Sequence, residues 1–582
     1  MESKQRGILI VSLIALVLMA IGITYSYFTA SIEGKEETST IVVNGGIMEI
    51  YYEEDAHIDM HGIYPKTSPW ITKTFTLTGN NTTDLPMDYK IEIEITENTF
   101  TNNSISYELE CTSAPSGTVN ELSTGYLNET NGTETIGYGT FVNGKGVVHA
   151  YTLRIYFKDN GEDQNINQEA AFSGKIKISE AKLIYISYIE DLVDLSNEVN
   201  SGDSKKDQFV LLTRDLDFNE DDSYRDSTNA TTYGDYNGNS AVESIKTELT
   251  TGSGFYPIGD TNAHYFRGSF DGQNHRIDNL YISNTKNDIR IGLFGWSNSP
   301  KFSNLTISGN VSSNVTTDAA GIAGNFTNAI VSNVHNEVNV SILVGTSGTA
   351  GGITGVANNV KMVNCSNTGT IYGSNQIGGL VGLNWSTLKI YNSFNDGELK
   401  NDFSSSGTRH IGGLLGDDNS AADSKTYIIN SFNIGTINSG DSLYSGGLIG
   451  KIAKNAYIYN SYNAGNVTSD NGTNGIVYGI YTTANIYIYN TFNYGKLVGS
   501  SNYGMGNGLD ISKVTNIYTL DADNINHESN VLVYMTKEQF NTQEFVDKLN
   551  ENVYEMKNDN TLSEYRFSPW KLGPEGYPVL VN

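Results

Sequence analysis

The chain has few cysteines, few prolines and few basic residues. Its 582 residues include two cysteines, Cys111 and Cys365, which lie far apart and predict no disulfide framework. The 36 basic residues are outnumbered by 65 acidic ones, and the net charge of -29 excludes the basic footprint that nucleic-acid binding requires. Nine prolines against 60 glycines, with Asn, Thr and Ser abundant in the second half, favour an all-β chain with many turns.

The first 30 residues have the pattern of a signal peptide or a transmembrane anchor. Lys4 and Arg6 precede an uncharged apolar run over residues 7–23, which is near the lower length limit for spanning a bilayer core. Small residues predict a cleavage point after Ser26 or Ala30, and an uncleaved single-pass anchor is the alternative. In both cases the basic flank stays inside, so the rest of the chain is secreted or held at the extracellular face of the cell membrane.

Residues 31–183 predict a β-sandwich domain. Apolar and polar side chains alternate without exception from Tyr89 to Ile95, and similar strands are separated by turn-rich clusters. His57 and His61 are four residues apart and follow three acidic residues, which makes them candidate metal ligands. Their surroundings indicate a loop or an edge strand, so solvent-exposed polar residues are the alternative interpretation.

Four short stretches near the N-terminus form a recognisable series. They are residues 22–30 (Gly-Ile-Thr-Tyr-Ser-Tyr-Phe-Thr-Ala), a strand at 46–50, Tyr64-Pro65, and Thr74-Phe75-Thr76-Leu77-Thr78. On these residues the segment resembles the start of TasA/camelysin-type exported proteins of Gram-positive bacteria. The resemblance implies a β-sandwich after the signal and an extracellular fibre or surface role. Through camelysin it also implies a metalloprotease as one possible activity.

An internal repeat dominates residues 184–582. Each unit begins with Gly-x-x-Gly and continues to a strand that ends in asparagine, and successive units begin 27 to 34 residues apart. The first glycines of the series are Gly292, Gly321, Gly352, Gly379, Gly413 and Gly447. Glycine is expected here because it lets the backbone turn tightly between strands. Between residues 291 and 510 the chain carries 11 acidic and 9 basic residues, so this repeat region is nearly neutral.

One asparagine, called the marker asparagine below, ends the strand of every unit. The markers are Asn304, Asn333, Asn364, Asn392, Asn430, Asn460, Asn490 and Asn516. Two positions earlier stand Phe302, Val331, Met362, Ile390, Ile428, Ile458, Ile488 and Val514, all apolar. This pattern predicts a solenoid with a column of inward side chains and a row of stacked amides. Aromatic residues two positions after four of the markers are expected to stack along the axis.

These units resemble GLUG-type repeats, named for the signature Gly-Leu-x-Gly seen at Gly379-Leu380-Val381-Gly382. Residues 256–259 and 266–272 resemble the usual lead-in, and residues 570–572 and 577–580 resemble the usual ending. The resemblance implies a right-handed parallel β-helix on a bacterial surface protein. It divides the chain into an N-terminal cap with the first coils at 184–290, GLUG-type repeats at 291–520 and a C-terminal cap at 521–582.

Short cap helices are predicted at both ends of the solenoid. Ser187 and Glu190 have the spacing of a capping box, and the apolar stripe that follows predicts a helix over 188–200. Thr536 and Gln539 form a second box ahead of another apolar stripe.

Carboxylates that could support catalysis are scarce in the repeats. Asp417, Asp418 and Asp423 cluster in the longest unit and are the candidates for polysaccharide lyase or hydrolase chemistry.

A calcium-loop pattern occurs once, at Asp217, Asn219 and Asp221, whose oxygens alternate along the chain. The glycine at loop position six and the glutamate at position twelve are missing, so a solvated acidic loop is the alternative.

Two columns of outward tyrosines are the candidate ligand-binding residues. Tyr427, Tyr457 and Tyr487 form one column, and Tyr391, Tyr459 and Tyr489 form the other, which Ile429 interrupts. Flat aromatic rows can bind sugar rings, and tyrosine is favoured on partly apolar binding surfaces. The alternative is that these rings stack on one another and cover the sheet.

The sequence as a whole predicts an all-β extracellular protein: a signal or transmembrane helix, a β-sandwich, and a capped β-helix. Its predicted function is non-catalytic, as an adhesin or matrix component that binds glycans or proteins through one face of the β-helix. No cofactor is expected, membrane contact is expected through the N-terminal helix, and self-association is left open. A carbohydrate-active enzyme and a camelysin-like metalloprotease are the alternatives.

Overall fold

The computed structural model describes residues 39–581 with gaps. The gaps are 44–45, 53–56, 84, 102–103, 128–130, 160–163, 165–166, 226–238, 299–300, 344–347, 374, 402–408, 422, 441–443, 481–484, 507–509, 521–524, 527–531, 560 and 563–564. The predicted signal or anchor at residues 1–30 lies outside the described residues. Among the described residues, no helix has the length and apolar character needed to cross a bilayer. The chain divides into two compact units, Met1–Ala181 and Lys182–Asn582.

Two antiparallel sheets form the first unit. The six-stranded sheet contains, in spatial order, Ser39–Val43, Gly46–Tyr52, Ile71–Asn81, Gly144–Phe157, Ile105–Ser113 and Leu122–Tyr126. The five-stranded sheet contains His57–Met60, Phe172–Glu180, Met87–Asn98, Gly132–Phe141 and Thr118–Val119. The predicted alternation places Tyr89 and Ile91 of one sheet in a core with Phe75 and Leu77 of the other. Two sheets around one apolar core form a β-sandwich.

Three parallel sheets form the second unit, a β-solenoid of about 10 turns. The longest sheet contains Leu183–Ile186, Phe209–Leu212, Leu216–Asp217, Ser269–Asn284, Lys301–Ser313, Ile330–Ile342, Val360–Val363, Ser366–Asn367, Ile371–Tyr372, Leu388–Tyr391, Phe394–Asn395, Leu399–Lys400, Lys425–Ile429, Phe432–Asn433, Ile437–Asn438, Asn455–Tyr459, Tyr462–Asn463, Val467–Thr468, Ile486–Asn493, Leu497–Val498, Val514–Leu520 and Leu532–Met535. The second contains Phe294–Ser297, Ala323–Thr327, Thr354–Asn358, Val381–Asn384, Leu415–Asp418, Ile449–Ile452 and Val477–Ile480. The third contains Asp318–Ala320, Thr349–Gly351, Gln376–Gly378, His410–Gly412, Tyr444–Gly446, Gly472–Asn474, Ser501–Tyr503 and Ile525–Asn526.

The repeat keeps equivalent residues in register from coil to coil. Ile390 pairs with Ile428, Ile428 with Ile458, and Ile458 with Ile488, all in parallel strands. All eight apolar residues that precede the marker asparagines by two positions are buried. Each removes its side chain from water, which contributes about 25 cal/mol per Å² of apolar surface. The predicted β-solenoid and its inward column are therefore confirmed, while right-handedness stays a prediction.

The repeat glycines have a different role from the one expected. Gly379, Gly413 and Gly447 do not have positive φ. A Cβ atom at any of them would instead collide with the main chain of the next coil and with a buried asparagine side chain. Glycine is needed at these positions because two coils and an interior amide approach one another closely, and the tight corners are made elsewhere.

Helices lie near both ends of the second unit. They are Ile189–Asn200, Asn239–Thr250, Lys537–Phe540 and Gln543–Asn558, with short 3-10 turns at Asp221–Ser223 and Ile511–Lys513. The described part of the chain ends in a hairpin of Trp570–Leu572 and Pro578–Leu580. The apolar stripe of the first helix, including Ile189, Leu192 and Val199, joins the solenoid core.

The predicted capping box at Ser187 and Glu190 is wrong. The helix has Tyr188 as its N-cap, so the third helical position falls on Asp191. The Asp191 carboxylate accepts from the main-chain N–H groups of Ser187 at 2.8 Å and Tyr188 at 2.9 Å. Glu190 is buried and accepts from the main-chain N–H of Arg225 at 3.1 Å.

The predicted box at Thr536 and Gln539 is confirmed. The Gln539 side-chain oxygen accepts from the Thr536 N–H at 2.8 Å, and the Thr536 hydroxyl accepts from the Gln539 N–H at 3.4 Å. This helix ends at Phe540, and a second helix begins at Gln543, with Thr542 as its own N-cap.

Both cysteines are free. Cys111 belongs to the first unit and is half-buried, whereas Cys365 lies in the solenoid core. Burial raises the pKa of the Cys365 thiol to about 12, so it packs as a neutral side chain.

Candidate ligand-binding face

The marker asparagines make the sharp corner of each coil. All eight have φ between 48° and 56°, in the left-handed region that asparagine tolerates better than most other non-glycine residues. Their amides also bond between coils. Asn333 Nδ2 donates to Asn304 Oδ1 at 3.0 Å, and Asn460 Nδ2 donates to Asn430 Oδ1 at 2.9 Å. The predicted amide row is confirmed, and its residues supply the turns that were assigned to glycine.

A second asparagine row lies in the solenoid interior, three residues after the markers. Its members are Asn336, Asn367, Asn395, Asn433, Asn463 and Asn493, each with 0% exposure. Each of the first five donates through Nδ2 to the Oδ1 of the next, at 2.7 or 2.8 Å. This row was not among the features predicted from the sequence, although the recurrence of Asn-x-x-Asn was its signal. These buried amides are satisfied only when the coils stay in register.

The first tyrosine column forms a continuous stack. The ring centroids of Tyr427 and Tyr457 lie 4.9 Å apart, and those of Tyr457 and Tyr487 lie 5.0 Å apart, with interplanar angles of 15° and 3°. Tyr427 is only 7% exposed, so its expected outward position is wrong, while Tyr457 and Tyr487 are half-buried. Stacking covers the ring faces and leaves ring edges and hydroxyls as the groups that could meet a ligand. Burial raises the pKa of Tyr457, so its hydroxyl stays protonated at neutral pH.

The second tyrosine column has the predicted register but not the predicted exposure. Tyr391 is half-buried and aligns with Ile429, which aligns with Tyr459 and then with Tyr489. Tyr459 is 6% exposed, because Tyr565 and Phe567 pack edge-on against its ring. The Tyr489 hydroxyl donates to Glu555 Oε2 at 3.2 Å. The expected outward position of Tyr459 is therefore wrong, since a later part of the chain covers it.

Residues 565–570 form that cover, the C-terminal strap. Asn430 Nδ2 donates to the Arg566 carbonyl at 2.7 Å, and Asn430 Oδ1 accepts from the Ser568 N–H at 3.1 Å. One coil further, Asn460 Nδ2 donates to the Ser568 carbonyl at 2.8 Å, and Trp570 Nε1 donates to Asn460 Oδ1 at 2.6 Å. The strap thus uses the hydrogen-bonding groups that the amide row leaves free. It contacts both tyrosine columns, since the Tyr565 ring lies 5.7 Å from Tyr427 and 6.1 Å from Tyr459 between centroids.

Lysine ammonium groups surround the first tyrosine column. Lys389 lies on the coil before Tyr427 and aligns with it. The Lys389 Nζ lies 5.7 Å from the Tyr427 ring centroid. Lys425 Nζ lies 5.8 Å from the Tyr457 ring centroid. Neither lysine forms an ion pair with any described residue. The site therefore combines phenol hydroxyls with positive charge in a nearly neutral part of the chain.

The three acidic candidates for catalysis have separate environments. Asp417 Oδ2 lies 2.7 Å from His410 Nδ1, and Lys451 Nζ lies 3.5 Å from the same oxygen. Asp418 Oδ1 accepts from Asn384 Nδ2 at 2.9 Å. Asp417 and Asp418 are buried, whereas Asp423 is exposed. Burial raises the pKa of Asp418 to about 6. Within the described residues these carboxylates share no hydrogen-bond partner.

The calcium-loop candidates are bonded to neighbouring protein groups. Asp217 Oδ1 accepts from the Asn219 N–H at 2.8 Å and from Asn279 Nδ2 at 2.7 Å. Asp221 Oδ1 pairs with Lys246 Nζ at 2.7 Å. The carboxylates of Asp217 and Asp221 therefore have partners within the protein, which accounts for the acidic loop without a bound calcium ion.

His57 and His61 lie at an exposed edge. His57 begins the edge strand His57–Met60, and His61 Nε2 lies 2.6 Å from Asp59 Oδ1. Across the described parts of both units, no group of three or more His, Cys, Asp or Glu residues is placed to hold a metal ion.

Comparison with known proteins finds one partial likeness. No family model matches the chain, so the GLUG-type and TasA/camelysin-type resemblances stay predictions. A stretch of 196 residues, 33% of the chain, is 29% identical to Halomucin of Haloquadratum walsbyi (strain DSM 16790 / HBSQ001) and spans 2% of that protein's length. Together, the β-solenoid fold and this likeness fit a surface or extracellular protein.

Proposed function

We propose that the chain is a non-catalytic component of a cell surface or extracellular matrix that binds glycans through the first tyrosine column of its solenoid. The observation that carries the proposal is the stack of Tyr427, Tyr457 and Tyr487, whose hydroxyls have no hydrogen-bond partner among the described residues. The ring centroids repeat at 4.9 to 5.0 Å, and a row of phenol groups repeated in this way suits a polymer that offers hydrogen-bonding groups at regular intervals.

The geometry of the stack supports contact through ring edges. Sugar rings that stack on aromatic side chains need an open ring face, and here the neighbouring tyrosines occupy those faces. Hydroxyl groups and ring edges therefore make the contacts, and affinity accumulates over several coils because each contact is modest. Proteins of the matrix with repeating surface groups are the alternative partners.

Retention on immobilised glycans tests the proposal. Full-length protein is passed over bacterial, plant and mucin glycans, and release of new reducing ends is measured in the same samples. We expect retention without product release, and a loss of retention in the double variant Tyr457→Ala/Tyr487→Ala. The control is Tyr554→Ala, which removes a 69% exposed tyrosine from a helix. Equal retention of both variants would contradict the proposed face.

A carbohydrate-active enzyme is the second candidate function. The observation that favours it is His410, whose Nδ1 is held by Asp417 and whose Nε2 is buried without a partner among the described residues. A carboxylate-held imidazole is a common arrangement for a general base. Release of oligosaccharide by the native protein and its loss in His410→Gln would establish this alternative.

A further inference from the structure

One column of the solenoid changes from lysine to tyrosine along the axis. Lys361 aligns with Lys389, Lys389 aligns with Tyr427, and Tyr427 aligns with Tyr457 and Tyr487. Lys425 lies two residues before Tyr427 in the same strand, and its Nζ is 5.8 Å from the Tyr457 ring centroid. Ammonium groups therefore stand at the beginning and at the side of the same row of hydroxyls.

The positive charge of a further lysine at this face, Lys513, is partly neutralised by a carboxylate. Lys513 Nζ lies 5.8 Å from the Tyr487 ring centroid, but it pairs with Asp510 at 3.2 Å and donates to Asn485 Oδ1 at 2.6 Å. Lys389 and Lys425 have no such carboxylate among the described residues. Their charge is thus available to a ligand, even though the chain as a whole carries -29.

We propose that the ligand of this face is an anionic polysaccharide, bound through Lys389, Lys425 and the hydroxyls of the tyrosine column. This inference rests on the proposed glycan-binding function and narrows its substrate class. Phenol hydroxyls donate hydrogen bonds to carboxylate or sulfate oxygens, and such charge-assisted bonds are stronger than those to neutral hydroxyls. A neutral polysaccharide could accept hydrogen bonds from the two ammonium groups but would gain no attraction between opposite charges.

Because the chain as a whole is negatively charged, a polyanion should bind only where positive charge is locally unpaired, as at Lys389 and Lys425. A polyanion is repelled by the acidic parts of the chain, but at physiological salt this repulsion is screened beyond about 8 Å. Only a surface with unpaired positive charge then gives a net attraction, and the nearly neutral repeat region provides such a surface around Tyr427 and Tyr457. Binding is therefore expected to weaken as salt concentration rises.

The test compares three polysaccharides of matched length on full-length protein: polygalacturonate for carboxylates, dextran sulfate for sulfates and dextran as the neutral form. We expect retention on one or both anionic forms and at least fivefold weaker retention on dextran. Lys389→Gln/Lys425→Gln should lower anionic retention roughly fivefold, because each exposed charge pair is worth about 0.2–1 kcal/mol. Tyr457→Phe/Tyr487→Phe, which keeps the stack, should also lower it.

The matched control is Lys400→Gln/Lys496→Gln, which removes the same formal charge elsewhere on the solenoid. Lys400 ends the strand Leu399–Lys400, and Lys496 lies just before the strand Leu497–Val498. If both lysine pairs lower retention equally, the effect is one of net charge and the inference is wrong. Equal retention on dextran and on the anionic forms would also overturn the inference but leave the proposed function intact. Absence of retention on every polysaccharide, including the panel above, would contradict the proposed function itself.

Discussion

Asparagine performs two tasks at each corner of the solenoid. Its left-handed backbone turns the chain, and its side-chain amide bonds to the coils on either side. Aspartate could not do both, because an ionised carboxylate accepts hydrogen bonds but cannot donate them. The marker position is therefore constrained by backbone conformation and by hydrogen bonding together.

Asn460 allows the two tasks to be separated. Its amide bonds to Asn430, Asn490, Ser568 and Trp570. We expect Asn460→Gly to lower the free energy of unfolding by about 3 kcal/mol through lost buried hydrogen bonds. Asn460→Ala should cost roughly 1 kcal/mol more, since alanine is strained in the left-handed region.

Chemical denaturation measures both changes, and Asn304→Gly is the control. Asn304 has the same backbone conformation but is half-buried and has no bond to the strap, so its loss should be smaller. Equal stability of the glycine and alanine variants at position 460 would show that backbone conformation is not limiting there.

Asp418 should make the stability of the solenoid depend on pH. Burial raises its pKa from 3.8 to about 6, so the folded state favours the protonated form. The stability that this protonation contributes is complete below about pH 4 and is lost as pH rises through about 6. Asp418→Asn should therefore match the native protein near pH 4 and exceed it by up to about 3 kcal/mol at pH 8.

Thermal unfolding across pH 4 to 8 checks this expectation. The control Asp423→Asn changes an exposed carboxylate in the same unit and should follow the native profile. A native-like profile for Asp418→Asn would mean that Asp418 is ionised in the folded protein without penalty.

At the scale of elements, the strap binds the side of the solenoid and covers Tyr459. Trp570 donates to Asn460, and its ring contacts Tyr462 at 5.7 Å and Phe492 at 5.4 Å between centroids. These contacts attach the end of the chain to coils that lie more than 70 residues earlier. The strap is thus a structural cap along the side of the solenoid as well as a cover for Tyr459.

Removing the Trp570 side chain should loosen the strap. We expect Trp570→Ala to lower the free energy of unfolding by about 3–5 kcal/mol, as for other buried aromatic residues. Trp385→Ala, at a 48% exposed site on the same solenoid, should change it by less than about 0.5 kcal/mol. Denaturation curves compare the two, and equal small effects would show that the strap contributes little to stability.

The repeat made the columns predictable, because residues at one coil position must align along the axis. It predicted the buried Ile390–Ile488 column and the alignment of Tyr427 with Tyr457 from spacing alone, while stacking of these rings was the alternative to ligand binding. It could not predict the strap, since the contact between Ser568 and Asn460 joins distant segments and leaves no periodic signal. The Ser187–Glu190 box failed for a local reason: the helix begins one residue later than the motif suggests.

At the scale of the whole molecule, two cores form within one chain. The sandwich core lies in Met1–Ala181 and the solenoid core in Lys182–Asn582. The net charge of -29 is spread unevenly, since the repeat region at 291–510 is nearly neutral and carries the proposed binding face. Scaffold and proposed binding face therefore both belong to the second unit.

The second unit should fold alone. We expect a fragment of residues 182–582 to have a β-rich circular dichroism spectrum. It should also unfold in a cooperative thermal transition at a temperature close to that of a transition of the full chain. The reason is that the solenoid core includes no residue of the first unit. Residues 210–582, which lack the first helix and strand, are the control and should unfold at lower temperature or aggregate. A fragment 182–582 without a cooperative transition would show that the units depend on each other.

Oxidative footprinting of tyrosines, read by mass spectrometry with and without a retained polysaccharide, tests the central claim most directly. The account predicts that Tyr457 and Tyr487 become protected when the polysaccharide is bound, while Tyr64 and Tyr554, 63% and 69% exposed elsewhere, react as before. Unchanged reactivity at Tyr457 and Tyr487 under conditions of full retention would contradict the account, since the ligand would then bind another surface.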